Sequence, residues 1–214
     1  MAWIFPINVL VELSTLFGNV TVERPKYKVA RKLPGGRVEI RWYPPVVAAT
    51  IQMPRNRFNR EGEAFAKLAR YIGVSGRPQN AKSREISMTA PVVTSSKSSE
   101  EISMTAPVTT QNNEMAFLLP AKYTIETAPQ PTDPDVRIRE LPGRYEAVLP
   151  FFGEPTEWYT EQQVDELKRK VVAAKRDGAD IRIKGDWYLA RFNPPITIPF
   201  LKTNEIHIPV DFTP

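Results

Sequence analysis

The strongest constraint in this 214-residue sequence is that its pattern is written twice. Leu33-Pro34-Gly35-Gly36-Arg37-Val38-Glu39 resembles Leu141-Pro142-Gly143-Arg144-Tyr145-Glu146. A helical stretch follows in each half. Each half then closes on a strand opened by Asn-Glu: Asn113-Glu114-Met115 in one and Asn204-Glu205-Ile206 in the other. Each therefore reads strand, strand, helix, strand, strand. One such half cannot bury both faces of its own sheet, so two must share one. The expectation is an α+β fold with a pseudo-twofold-symmetric, curved, mostly antiparallel sheet, or distorted β-barrel, flanked by two long helices. Residues 19–214 form the single domain, with halves at about 26–120 and 136–210, behind an apolar lead-in at 1–18.

Local patterns place the elements. Strands are expected at 26–31, 38–43 and 46–53, the second alternating Val38, Ile40, Trp42. Gly35 and Gly36 supply the turn before it. Residues 58–72 have helical spacing, with Phe58, Phe65, Leu68, Ala69 and Ile72 on one side and Arg60, Glu63, Lys67 and Arg70 on the other. Gly73 stops that helix. Residues 74–100 read as a polar loop, and strands follow at 101–110 and 114–119. After a proline-rich link at 128–134 come strands at 136–140 and 145–151, a helix at 156–176 and closing strands at 187–192 and 205–210. A shorter repeat is also present: Glu-Ile-Ser-Met-Thr-Ala-Pro-Val occurs at 85–92 and again, letter for letter, at 101–108.

Composition narrows the chemistry. At 42% hydrophobic and 25% charged, the chain can build a sizeable core. It has no cysteine, which excludes disulfides, thiolate metal sites and a cysteine nucleophile, and agrees with a cytoplasmic setting. A plastid is the alternative if a transit segment is missing from this chain. The net charge of +5 is scattered, with no basic run or recognition-helix pattern, so no nucleic-acid partner is expected. A basic rim around a pocket for a dianionic ligand also fits. Residues 3–17 are apolar but broken by Pro6, Asn8, Glu12 and Ser14, with no positive n-region, so neither a signal peptide nor a membrane span is expected. That segment reads as an amphipathic lead-in that packs on the domain or touches a membrane surface.

Few residues carry chemistry. His207 is the sole histidine. Its neighbours Ile206, Ile208 and Val210 face one way on a strand, so His207 is expected to point to solvent and not to serve as a ligand or base. Glu61 borders the apolar stripe of the first helix, as a helix-edge carboxylate or, if desolvated, an acid or base. Met88 and Met104 read as strand-end core filler, although a thioether can ligate haem iron weakly. Gly62 weakens the first helix and leaves room for something flat. The link 193–202 is stiffened by Pro194, Pro195 and Pro199, yet carries Phe200 and Leu201. It either folds back on the core or lids a hydrophobic cleft over the first helix. No catalytic constellation is visible, and a non-enzyme is expected.

Several spaced motifs occur in order: Ile-Ser-Met-Thr-Ala-Pro-Val, Tyr71-Ile72-Gly73, Phe117-Leu118-Leu119-Pro120, Ala190-Arg191-Phe192-Asn193-Pro194-Pro195 and Asn204-Glu205-Ile206. Together they resemble the SOUL haem-binding family, plant-type members most closely, from about Phe17 to Val210. The resemblance implies non-covalent binding of haem or another tetrapyrrole in a shallow apolar groove, by a monomeric carrier or buffer. The groove is formed by the first helix and the loop between the last two strands. Carried over by position, it comprises Arg60, Gly62, Phe65, Lys67, Leu68, Ile196, Ile198, Phe200 and Leu201. Gly62 stands where an animal member has an arginine thought to face the ligand, with Arg60 or Arg57 as substitutes. The iron-ligating histidine of another animal member has no counterpart. The resemblance thus implies burial plus propionate pairing, without a strong axial ligand. The alternatives are a GyrI-like small-molecule enzyme of hydrolase type, using Glu61, and a membrane-surface interaction module acting through the N-terminal segment.

Overall fold

The computed structural model describes residues 23–53, 60–74, 77–87, 92–95, 114–193 and 196–214. The N-terminal lead-in lies outside these, as do Met88, Met104 and the strand expected at 101–110. The elements are β1 (Lys28–Lys32), β2 (Glu39–Tyr43), β3 (Val46–Gln52), α1 (Arg60–Ile72), β4 (Val92–Ser95) and β5 (Glu114–Leu118). The second half adds β6 (Val136–Leu141), β7 (Arg144–Phe152), α2 (Glu157–Arg176), β8 (Ile181–Ile183), β9 (Tyr188–Arg191) and β10 (Thr203–Phe212). A 3-10 turn, Pro199–Leu201, precedes β10.

The strands form one curled antiparallel sheet, a half-barrel, in the order β1-β2-β7-β10-β9-β4-β5-β3-β6, with β8 added on β10. Without β1, this order reads the same when the halves are exchanged. Strand β2 then stands for β6, β3 for β7, β4 for β9 and β5 for β10. The register keeps the symmetry residue by residue. Thr94 pairs with both Leu189 and Met115, while Leu189 pairs with Ile206, so the Thr94–Leu189 pair sits on the pseudo-twofold axis. Neither half is a separate sheet: β2 lies on β7 and β6 on β3, so each half completes the other.

Two differences from the sequence expectation stand out. Strand β4 falls within 74–100, which reads as a polar loop. Its Val92-Val93-Thr94 run is β-branched, and pairing on both sides, to β5 and β9, overrides the polar flanks. Strand β8 carries only three residues, too few to show an alternating pattern.

The helices cover one face of the sheet. In α2, Val164, Leu167 and Val171 pack on Ile40, Leu149 and Ile206. Each such side chain contributes about 1.5–3 kcal/mol by leaving water. Thr156 caps α2 by accepting from the Tyr159 N–H at 3.3 Å. In α1, Ala64, Leu68, Tyr71 and Ile72 pack on Ile51, Met115 and Phe117. Helix α2 has 20 residues and α1 has 13 over its described length. No helix among the described residues is long and apolar enough to cross a membrane.

Helix α1 ends where the sequence requires. The Gly73 N–H bonds to the Ala69 carbonyl at 3.0 Å with φ at +92°, a left-handed conformation that favours glycine. A Cβ there would sit 2.7 Å from Pro78 Cγ. Gly73→Ala is expected to destabilise the fold by about 1–3 kcal/mol, from left-handed strain and the forced shift of Pro78. Urea denaturation with an unchanged m-value checks it.

Candidate functional site

The other face of the sheet lines the inside of the half-barrel. Period-two alternation sends Ala147, Leu149 and Phe151 of β7 toward α2 and Glu146 inward. The same phase turns Glu39, Arg41 and Tyr43 of β2, Tyr188 of β9, and Glu205 and His207 of β10 to the inner face. These residues form a continuous chain. Arg41 donates from Nη1 to Glu205 at 2.9 Å and from Nε to Glu39 at 2.8 Å. His207 lies between two carboxylates, with Nε2 3.0 Å from Glu205 and Nδ1 2.7 Å from Glu146. Arg144 donates from Nε to Glu146 at 2.5 Å, and the Tyr188 hydroxyl donates to both Glu146 oxygens at 2.6 and 2.7 Å. The Tyr188 ring stacks on His207 with centroids 4.7 Å apart.

His207 is therefore not solvent-facing, as the strand pattern suggested. It is 3% exposed, and Glu146 is fully buried. Alternation identified its face correctly, but curvature closes the inner face as well, so both phases of β10 are buried.

Partners set the charges in this low-dielectric interior. Burial opposes ionisation of Glu146, yet Arg144 and His207 hold its pKa down to about 2. Burial likewise opposes the charge on Glu205, which His207 and Arg41 nevertheless hold below the usual carboxylate range. Burial would lower His207, but its bonds to Glu146 and Glu205 prevail and raise it. Burial, then the nearby Glu146 charge, raises Tyr188 well above its usual value. The chain reads Arg⁺–Glu⁻–His⁺–Glu⁻–Arg⁺.

Beside this chain lies a cavity of about 450 Å³, lined by Tyr43, Arg144, Tyr188 and His207 on the polar side and Val93 and Phe192 on the apolar side. Residues 23–27 run along it, with Arg24 stacked 5.0 Å over Phe192 and the Tyr27 ring 4.2 Å from the Arg41 guanidinium.

The pseudo-twofold shows how the two walls diverge. Ala116, paired with Thr50 and Val93, holds the place of His207, paired with Val148 and Tyr188. Ala48 holds the place of Glu146, and Val93 that of Tyr188. One ion pair survives in both halves: Arg139 to Glu114 at 2.8 Å matches Arg41 to Glu205 at 2.9 Å.

The nine residues carried over from the resemblance lie elsewhere, and none lines this cavity. Gly62 is exposed on α1, and Arg60 is described only in its backbone, as is Glu61. Phe65 is half-buried, edge-on to Phe117 at 5.3 Å. Lys67 pairs with Asp135 and, at 3.7 Å, with Asp133. Leu68 is fully buried beneath them in the core. In the loop, Thr197 is buried at 1%, while Ile196 and Phe200 are 64% and 71% exposed. Ile198 and Leu201 are half-buried. The helix and the loop are each anchored to the sheet, α1 on β3 and β5 and the loop through Gly153 N–H to the Lys202 carbonyl at 2.9 Å.

The sequence matches the description "SOUL heme-binding protein" over residues 22–209, nearly its whole length. The chain belongs to the SOUL heme-binding protein family. None of the curated proteins matches it. Among solved structures, an uncharacterized conserved protein from Listeria innocua is 12% identical at a TM-score of 0.55, covering 85% of this chain and 94% of that one. The EcmrR–DNA complex gives 9% identity and a TM-score of 0.55, covering 82% of this chain but only 57% of that one. At these identities the SOUL domain shares a fold with them. Apart from His207, expected to face solvent, the residues of the inner chain were not singled out from sequence. Their signal was present, as the i, i+2 pairs Glu39–Arg41, Arg144–Glu146 and Glu205–His207, each placing complementary charge on one strand face.

Removing one member of a buried ion network strands the others. Glu146→Gln is expected to cost about 3–5 kcal/mol in urea denaturation at neutral pH. The pH response follows from the directions above. The Glu146 contribution is in place above 4.5 and is lost as pH falls toward about 2. The His207 contribution is complete below 6.5 and is lost as pH rises through its raised folded value. The wild-type urea midpoint should therefore fall as pH rises above 6.5. His207→Gln should remove that alkaline limb.

Proposed function

We propose that this protein binds haem or a related tetrapyrrole non-covalently, as a monomeric carrier or buffer, on the apolar surface around α1 and the 196–201 loop. The observation that carries this reading is the exposure of Ile196 and Phe200 on a loop held by Pro199 and a buried Thr197. A loop fixed at its base with two large apolar side chains in water is a ready-made contact for a flat ligand. Family membership supplies the ligand class. Phe65 and the exposed backbone at Gly62 would form the α1 side. Arg60 is the cation assigned to a propionate; Lys67 is already paired with Asp133 and Asp135.

The residues present fit a tetrapyrrole held by burial better than one held through its iron. Both ring nitrogens of His207 bond to carboxylates inside the half-barrel. No other histidine and no cysteine exists in the chain. Metal-free protoporphyrin should then bind nearly as well as haem.

Titration followed by Soret absorbance and tryptophan quenching tests the reading. Saturable binding of both porphyrins is expected, with a Soret band unchanged by His207→Ala. Phe200→Ala should weaken both about tenfold or more, the loss of one aromatic contact. Absence of saturation below roughly 100 μM, or equal affinity in Phe200→Ala, would overturn it.

A further inference from the structure

The inner cavity is a second place on the molecule with the character of a binding site, and nothing in the loop reading uses it. Its polar wall is a chain of charges whose members are unequally spent. Side-chain exposure is 0% for Glu146, 4% for His207, 6% for Arg41 and 12% for Glu205, against 23% for Arg144. Both Glu205 oxygens are taken, one by Arg41 and one by His207. Both Glu146 oxygens are taken as well. Arg144 keeps capacity. Only its Nε bond to Glu146 is short; the bonds from Nη1 to the Pro142 carbonyl and from Nη2 to the Tyr188 hydroxyl are both 3.4 Å. A guanidinium has five N–H donors, so its outer edge is free to receive an oxyanion. Tyr43 adds a hydroxyl whose oxygen accepts from Arg41 at 3.3 Å and whose own proton finds no acceptor among the described residues. Its ring centroid lies 6.0 Å from the Arg144 guanidinium carbon.

Among the strand residues of the polar wall, the two groups with unspent capacity are thus donors, one of them cationic; the cavity is also lined by the solvent-exposed charges of Glu23, Arg24, Lys26, Glu126 and Glu140. The opposite wall is apolar, made by Val46, Val93, Leu118 and Phe192, with Ala48 and Ala116 behind them. Tyr123, 7% exposed with an unpartnered hydroxyl among the described residues, also contributes to the lining.

We propose that the cavity inside the half-barrel is a second ligand site that takes an amphipathic carboxylate, its headgroup on Arg144 and Tyr43 and its apolar body along Val93, Leu118 and Phe192. The free edge of the guanidinium suits the two oxygens of a carboxylate. A cationic head would meet Arg144 and find both buried carboxylates already neutralised; the other carboxylates of the lining, Glu23, Glu126 and Glu140, are solvent-exposed, where an ion pair contributes little. A volume of about 450 Å³ accommodates a medium-length chain or a ring system. The site does not depend on the tetrapyrrole reading of the loop.

Decanoate, methyl decanoate and decylamine, titrated by calorimetry into the full chain, test the assignment. Decanoate is expected to bind, with the uncharged ester and the amine at least about tenfold weaker, the value of one charge-assisted contact. Arg144→Met should erase the preference for acid over ester. It also leaves Glu146 short of a partner, so Val93→Phe provides a check away from the charge network. By filling the apolar wall it should block decanoate in a protein whose circular dichroism is unchanged. Equal binding of amine or ester by the wild type, or wild-type decanoate affinity in folded Val93→Phe, overturns the proposal. Haem titrated in parallel reads the loop separately. It should be indifferent to Val93→Phe, and a joint loss of haem and decanoate in that variant would overturn the assignment of two sites.

Discussion

The arrangement of the inner face depends on Glu146. Its carboxylate is fully buried and accepts from Arg144, His207 and Tyr188 at once. A buried charge of this kind is tolerable only when every lone pair is occupied. Three strands must therefore be held in one register, β7 carrying Arg144 and Glu146, β9 carrying Tyr188 and β10 carrying His207. A one-residue slip of any of them would turn its partner to the helix-covered face. The ion chain thus links the register of the sheet to the shape of the cavity beside it.

The two halves have divided the work unequally. Where one half places Glu146, His207 and Tyr188, the other places Ala48, Ala116 and Val93 at matching register positions. The Arg–Glu pair repeated on both sides, Arg41–Glu205 and Arg139–Glu114, preserves the shared plan. The outcome is an interior with one charged wall and one smooth wall, a polarity that a strictly symmetric domain could not have.

Much of the architecture was legible in the sequence. The repeated strand openings at Glu114 and Glu205 do fall at matching places in the two halves, and 3.6-residue spacing marked both helices. The Leu-Pro-Gly turns do not match: 33–36 joins β1 to β2, whereas 141–143 joins β6 to β7, the counterpart of the Pro44-Pro45 link between β2 and β3. Strand β4 was not legible, because short strands among serines and lysines acquire their identity from the neighbours they pair with. The inner chain was hidden for a different reason. Alternation says which residues share a face, but not whether that face meets water. His207 could be assigned opposite Ile206 and Ile208; that its side is enclosed is a property of sheet curvature and of the segment at 23–27. The surface loop showed the reverse. Its prolines and apolar residues drew notice, and Ile196 and Phe200 do stand exposed.

A half-barrel, unlike a closed one, has ends: among the described residues, β1 and β6 close the strand order and pair on one side only. Strand β1, Lys28-Val29-Ala30-Arg31-Lys32, is exposed along its whole length and carries three positive charges in five residues. Strand β6, at the other end of the order, carries Arg137, Arg139 and Glu140. Free edges are templates for pairing with another chain, and charge is the usual deterrent. A second copy approaching β1 antiparallel would bring lysines and arginine against their own kind. The openness that gives access to the interior is thus accompanied, among the described residues, by charged borders of the kind that discourage edge-to-edge pairing.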